Sequence, residues 1–209
     1  MAVVVVGGHS RNIGKTSVVA GLIAQIPELH WTALKVTQYG HGICASSGGD
    51  CDCATPDHAA AVTEELDRSG ESDSSRFLVS GAERSYWVRT RQGYLAEAMP
   101  RVRQVLAGAQ NVIIESNSII RFLQPDLYLV VLDPSVEDFK DSSRFFLDRA
   151  SALLVREDRA GQGSWSGVSR KLTQGKPMLP LRLPGYVTPE LVAFVRNALV
   201  SSVHQATQL

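Results

Sequence analysis

The sequence predicts a three-layer α/β domain with a mostly parallel central sheet, and three observations predict it. Residues Ala2 to Val6 form an unbroken apolar run that includes four consecutive valines, as in a strand buried on both faces. A glycine-rich turn leads from that run into an apolar segment of helical spacing, Ser17 to Ala24, which stops before Pro27. Further along, short apolar runs alternate with helix-like stretches, the pattern of a sheet covered by helices.

A chain of 209 residues can bury one sizeable core. We therefore expect a single domain over 1–202, with 203–209 frayed at the carboxyl end. Net charge is zero, which argues against a nucleic-acid or anionic-membrane partner. No apolar run approaches a membrane span, and no basic n-region precedes the first strand, so the expected location is cytoplasmic. Three cysteines in that compartment are not expected to form structural disulfides. Only five lysines occur among 21 basic residues, and two of them, Lys15 and Lys35, fall beside the loop described next.

The turn after the first strand reads Gly8-His9-Ser10-Arg11-Asn12-Ile13-Gly14-Lys15-Thr16-Ser17. Strand, glycine loop, Gly-Lys-Thr and helix together make a P-loop, whose main-chain amides and helix N-terminus hold a phosphate. Lys15 then reaches the β- and γ-phosphates, and the Thr16 hydroxyl holds Mg²⁺. The spacing is Gly-x5-Gly-Lys-Thr, one residue longer than standard, with His9 where the first glycine usually stands. His9 reads as a spacer in the cradle and not as a base. Arg11 reads either as a phosphate contact or as a solvated loop cation.

Trp31 to Val36 reads as the second strand, with Lys35 at its ligand-facing end. A Cys/Gly/Ser-rich loop follows at 37–54. It holds His41, Cys44, Cys51 and Cys53, a donor set suited to Zn²⁺ or iron, or else a mobile loop with free thiols. Thr55-Pro56-Asp57 predicts the start of a helix running through Leu66. Asp73 to Ala82 predicts a short capped helix and turn, Ser85 to Thr90 a strand, and Leu95 to Leu106 an amphipathic helix bent at Pro100.

Asn111 to Glu115 and Asp126 to Asp133 are both apolar strands that end in an acid. Either acid suits a carboxylate near Mg²⁺, and Glu115 is preferred because Ser116-Asn117-Ser118 makes a site-like loop. A helix at 138–147, a strand at 152–155, a helix at 166–173, a strand at 178–181 and a terminal helix from Pro189 to Val200 complete the prediction. No Asn-Lys-x-Asp motif identifies the base, so ATP and GTP both remain open.

The long P-loop resembles that of dethiobiotin synthetase and other SIMIBI-class P-loop NTPases. A closer resemblance is to the MobB proteins of molybdopterin-guanine dinucleotide biosynthesis. It rests on the P-loop, on Leu34-Lys35-Val36-Thr37-Gln38-Tyr39-Gly40-His41-Gly42, and on Asp73-Ser74-Ser75-Arg76 through Gly81-Ala82. The resemblance implies Lys35 and Asp73 near nucleotide and Mg²⁺, slow GTP hydrolysis, and a molybdenum-cofactor enzyme as partner, with a homodimer as a further expectation. The cysteine insert and the Glu-Ser-Asn-Ser segment depart from that family. Two other readings follow from the same residues: an ATP-dependent ligase acting on a small carboxylate or carbamate, and a nucleotide-gated metal or redox switch.

Overall fold

The computed structural model describes residues 1–39, 59–157, 165 and 168–206. Among these residues eight strands form one sheet: β1 Val3–Gly8, β2 Trp31–Tyr39, β3 Ala60–Glu65, β4 Arg84–Arg91, β5 Asn111–Glu115, β6 Leu127–Leu132, β7 Ala152–Arg156 and β8 Met178–Leu181. Their order is β3-β4-β2-β5-β1-β6-β7-β8. Only the β3–β4 pair is antiparallel.

Among the described residues five α-helices cover the two faces: α1 Lys15–Gln25, α2 Asp73–Val79, α3 Leu95–Ala107, α4 Asp141–Phe146 and α5 Pro189–Ala206. The four valines explain the layering. Val4 and Val6 join a core built with Val18, Val19, Leu22 and Ile23 of α1, Phe77 of α2, and Leu191 and Val195 of α5. Val5 points the other way, into a core with Met99 and Val102 of α3 and Phe146 of α4. Alternation along a strand buried on both faces puts its side chains into two cores.

β1 lies at the centre, between β5 and β6. The chain crosses to β2 on one side and later returns to fill β6, β7 and β8 on the other, so strand order reverses beside β1. A crevice at the carboxyl end of such a reversal is where α/β sheets bind ligands.

Three expectations are corrected. The helix foreseen from Thr55 through Leu66 is, in its described part, strand β3 over Ala60–Glu65. Its start signal is local, whereas Val62-Thr63 fits an extended edge and β4 offers it a free row of backbone groups. The helix foreseen at 166–173 is, in its described part, a single 3₁₀ turn at Arg170–Leu172. The terminal helix runs past Val200 to Ala206, beyond the predicted fraying point. Pro100 sits inside α3 without ending it.

Candidate functional site

The loop leaving β1 is fixed from two sides before it reaches Lys15. Asn117, just beyond β5, brackets Gly8: its Oδ1 accepts from the Gly8 N–H and its Nδ2 donates to the Gly8 carbonyl, each at 2.8 Å. A side-chain amide thus takes the place of a neighbouring strand. The fit leaves no space at Gly7, where a Cβ would lie 2.2 Å from Asn117 Oδ1.

His9 holds the other side. Its N–H donates to Val131 O at 3.1 Å, and its carbonyl accepts from Lys140 N–H at 2.8 Å. The ring bridges Asp138 O at Nδ1 (2.9 Å) and the Asp133 N–H at Nε2 (3.0 Å). A carbonyl at one nitrogen and an N–H at the other fix a neutral ring protonated at Nδ1. Burial lowers its pKa in the same sense, against opposing help from those backbone bonds. Phe139 and Trp165 pack on it. The expectation that His9 lines the phosphate cradle is therefore corrected: it is a buttress tying the loop to the segment after β6. Ser10 adds a bond from its Oγ to Asp138 Oδ2 at 2.8 Å.

The rest of the loop curls back. Asn12 (φ 53°) and Gly14 (φ 95°) are left-handed, and a Cβ on Gly14 would stand 2.1 Å from the Tyr186 ring. Glycine is required there on both grounds. Ile13 is buried and Arg11 half-buried. Gly14 caps α1 without a side-chain bond, and the first turn of α1 holds no acid. Its first-turn amides have no intrahelical acceptors. The Lys15 ammonium reaches back across the loop to donate to Ser10 O. Amides, dipole and ammonium all favour an anion at one place.

Below the loop, register assembles the acids. Glu115 is the pairing partner of Val6 on β1 and of Lys35 on β2. Val6 faces the α1 core, so Glu115 and Lys35 face α1 as well. Lys35 Nζ lies 2.7 Å from Glu115 Oε1 and 2.6 Å from Asp73 Oδ2 at the start of α2. Thr16 Oγ1 donates to Glu115 Oε2 at 2.9 Å. Arg76 holds α2 in place with one nitrogen 4.0 Å from Asp73 Oδ1 and another 3.4 Å from Ser17 Oγ. Lys15, Thr16, Lys35, Asp73 and Glu115 thus meet, although they come from four elements.

Asp133, the competing acid, is engaged elsewhere. Its Oδ1 accepts from Ser135 N–H and Oγ–H, and its Oδ2 lies 3.3 Å from Arg156 Nη1. It closes a turn and pairs with β7. Glu115, 3% exposed and bonded to Thr16, is the acid beside the loop.

The charges are uneven. Burial pulls Lys35 down, but Glu115 and Asp73 outweigh it and hold its pKa above the ordinary value. Burial pushes Asp73 up, but Lys35, Thr16 and Arg76 together outweigh it, so its pKa is lowered. Lys15 is brought down to about 8, first by burial and then by Lys35 and Arg11, with Glu115 and Asp73 opposing. Lys140 is likewise brought down to about 8 by burial, Lys15 and Arg11. Lys140, and the latch that Asn117 makes on Gly8, are what sequence reasoning missed. The Lys140 side chain has no hydrogen-bond acceptor among the described residues, and its backbone bond to His9 places it at the loop. Its only sequence signal is that it is the third lysine, after Lys15 and Lys35, and follows a strand ending in acid.

One hydroxyl and two carboxylates converge here, all hard oxygen donors, and the set fits Mg²⁺ shared with phosphate oxygens. Thr16 and Glu115 would hold it directly or through water. Among the described residues no cluster of three or more His, Cys, Asp or Glu forms a separate metal site. His41, Cys44, Cys51 and Cys53 lie outside the described residues.

No protein-family model matches the chain, and no curated protein matches it in sequence. Solved structures do match. The nickel complex of HypB from Helicobacter pylori superposes with a TM-score of 0.53 at 14% identity, covering 97% of this chain and 87% of HypB. The chain has the P-loop NTPase fold. That fold explains why the loop after β1 sits at the reversal of strand order, and why the helix after it begins with Lys15. LpxK from Aquifex aeolicus, solved with ATP, matches at 0.48 and 15% identity over 86% of this chain and 53% of its own. MobB from Bacillus subtilis matches at 0.43 and 16% identity over 95% and 98%. The P-loop assignment rests on the first of these and on the topology. No helix of the described residues is long and apolar enough to cross a membrane.

Proposed function

We propose that the chain binds a Mg²⁺–nucleoside triphosphate in the loop from Ser10 to Thr16 and hydrolyses it slowly. One observation supports this above the others: the linked set Thr16–Glu115–Lys35–Asp73 lies directly beneath a helix N-terminus with unsatisfied amides and the half-buried Lys15 ammonium. The amides and Lys15 bind the phosphates. Bound Mg²⁺ supplies charge neutralisation on the terminal phosphates. Thr16 and Glu115 position it, and Lys35 fixes the Glu115 carboxylate. Hydrolysis transfers the terminal phosphoryl group to water and releases a nucleoside diphosphate. Positioning and charge stabilisation carry most of such a reaction. Slowness follows from Lys35, which pairs with both nearby carboxylates and leaves neither as a free base.

The finer reading is a MobB-like GTP-binding accessory protein that acts beside a molybdenum-cofactor enzyme. It is supported by the Lys35 and Asp73-x-x-Arg76 segments that carry the resemblance. Melting temperature with Mg-ATP, Mg-GTP and their diphosphates tests the site and identifies the base together. A stabilisation by GTP that Lys15→Ala abolishes supports the reading, and no shift with any nucleotide removes it.

A second reading is a nucleotide-gated metal carrier. It is favoured by the donors His41, Cys44, Cys51 and Cys53, which follow the strand bearing Lys35, and by the nickel bound to HypB. Stoichiometric zinc, iron or nickel in protein purified without chelator, lost in Cys51→Ser, would support it.

A further inference from the structure

Beyond α2, the sheet face that carries Lys35 continues onto β4. Register sets Trp87 beside Lys35 and Arg89 beside Thr37. Side chains 35 and 37 on β2 and 87, 89 and 91 on β4 share this face. Trp87 Nε1 donates to Thr37 Oγ1 at 3.0 Å. The Arg89 guanidinium lies over the indole, 4.6 Å from its centroid. Arg91 follows, 5.6 Å from the Tyr94 ring.

Arg89 is unusual for what it lacks. Its Nε is buried and meets no acceptor. Among the described residues no carboxylate or carbonyl pairs with its guanidinium, and none with that of Arg91. Arg156, also half-buried, pairs with Asp133, and even the exposed Arg149 donates to Ile120 O. A guanidinium edge with one face held on an aromatic ring presents a planar fork, the geometry that receives a carboxylate or phosphate. Two residues along the strand and one strand across put Arg89 about 8 Å from Lys35. A molecule of a few carbons spans that gap.

We propose that Arg89, stacked on Trp87, anchors a second site, which takes the carboxylate or phosphate group of a small molecule lying beside the nucleotide. The anionic end sits on the Arg89 fork, and the body extends toward Lys35 and the terminal phosphate. Its role as a second-substrate site rests on the nucleotide reading above; its capacity to bind an oxyanion does not. An acid-binding site of this kind fits the other reading drawn from the same residues, an ATP-dependent ligase that acts on a small carboxylate.

The test uses the full chain saturated with Mg²⁺ and a non-hydrolysable triphosphate, so that the P-loop is filled. Succinate and inorganic phosphate are titrated separately while the Trp87 indole N–H resonance is followed, assigned with Trp87→Phe. The three tryptophans are distinguishable, because Trp31 and Trp165 donate to backbone carbonyls. A saturable shift with either probe is expected, and which probe acts separates carboxylate from phosphate. Arg89→Lys keeps the charge and loses the fork, and should weaken that probe about tenfold. The exposed Arg101→Lys should leave it unchanged. No saturable shift with either probe, or an unchanged one in Arg89→Lys, overturns the site. If the parent protein binds no nucleotide but still shows the shift, the nucleotide reading fails and the oxyanion site stands.

Discussion

Thr16 Oγ1 and Glu115 Oε2 are 2.9 Å apart, although 99 residues separate them in the chain. This bond joins the end of the loop to the end of β5, and it selects between two acids that looked alike in sequence. Glu115→Gln should weaken the Mg²⁺ dependence of nucleotide binding by about tenfold or more, because it removes charge where the metal shell lies. Asp133→Asn should leave that dependence near the parent value and mainly lower stability, since the ion pair with Arg156 is weakened. Calorimetric titration across Mg²⁺ concentrations ranks the two, and the reverse order would move the metal to β6.

Lys15 and Lys140 should both matter, to different degrees. Lys15→Ala removes the ammonium inside the loop and is expected to abolish measurable nucleotide binding in a protein that still melts cooperatively. Lys140→Ala keeps the backbone bond to His9 and removes only a cation. It should weaken triphosphate binding about tenfold and diphosphate binding less, in keeping with one charge-assisted contact. Equal losses for both nucleotides would place Lys140 away from the terminal phosphate.

How far the sequence reveals this site depends on how local each determinant is. The loop, Lys15, Thr16 and the strand-end acid sit in contiguous patterns, and strand alternation turns a register into a meeting of Lys35 with Glu115. Asn117 and His9 could not be read that way. Their partners lie 109 and up to 129 residues distant, and an asparagine or histidine in a loop has no local mark of such a bond. β3 failed for the opposite reason: its local helix signal is real, but pairing with β4 outweighs it. The extra loop residue was legible as a deviation, while its use, docking His9 onto 131–140, needed the fold.

The lysine shifts predict a pH dependence with two opposite signs. Lys15 and Lys140 titrate at about 8 in the free protein, below the ordinary 10.5. Phosphate favours their charged forms, so binding takes up protons and affinity falls as pH rises through 8, by at most about tenfold per unit for each lysine. Folding runs the other way. Between pH 8 and 10.5 the unfolded chain holds more protons on these lysines, so their contribution makes the ligand-free protein more stable as pH rises. Titration at pH 8 in two buffers of different ionisation enthalpy measures the uptake. A proton count of zero would mean that neither ammonium is desolvated or meets phosphate.

The Asn117 bracket around Gly8 should be visible in a double-mutant cycle. Asn117→Ala leaves the Gly8 N–H and carbonyl without their partners, at a cost of about 1–3 kcal/mol. Gly7→Ala drives a methyl to within 2.2 Å of Asn117 Oδ1, with the Tyr128 ring 2.9 Å away, and overpacking of this kind costs about 1–3 kcal/mol. The clash and the latch involve the same side chain, so the two losses cannot add. Once Asn117 is truncated, the methyl at position 7 meets only Tyr128, and the double variant should be more stable than the sum of the singles by about 1 kcal/mol. Denaturant unfolding of the four proteins measures this, and strict additivity would show that Asn117 does not press on the end of β1. Nucleotide affinity should fall in each single variant, because the bracket holds the first residue of the phosphate loop.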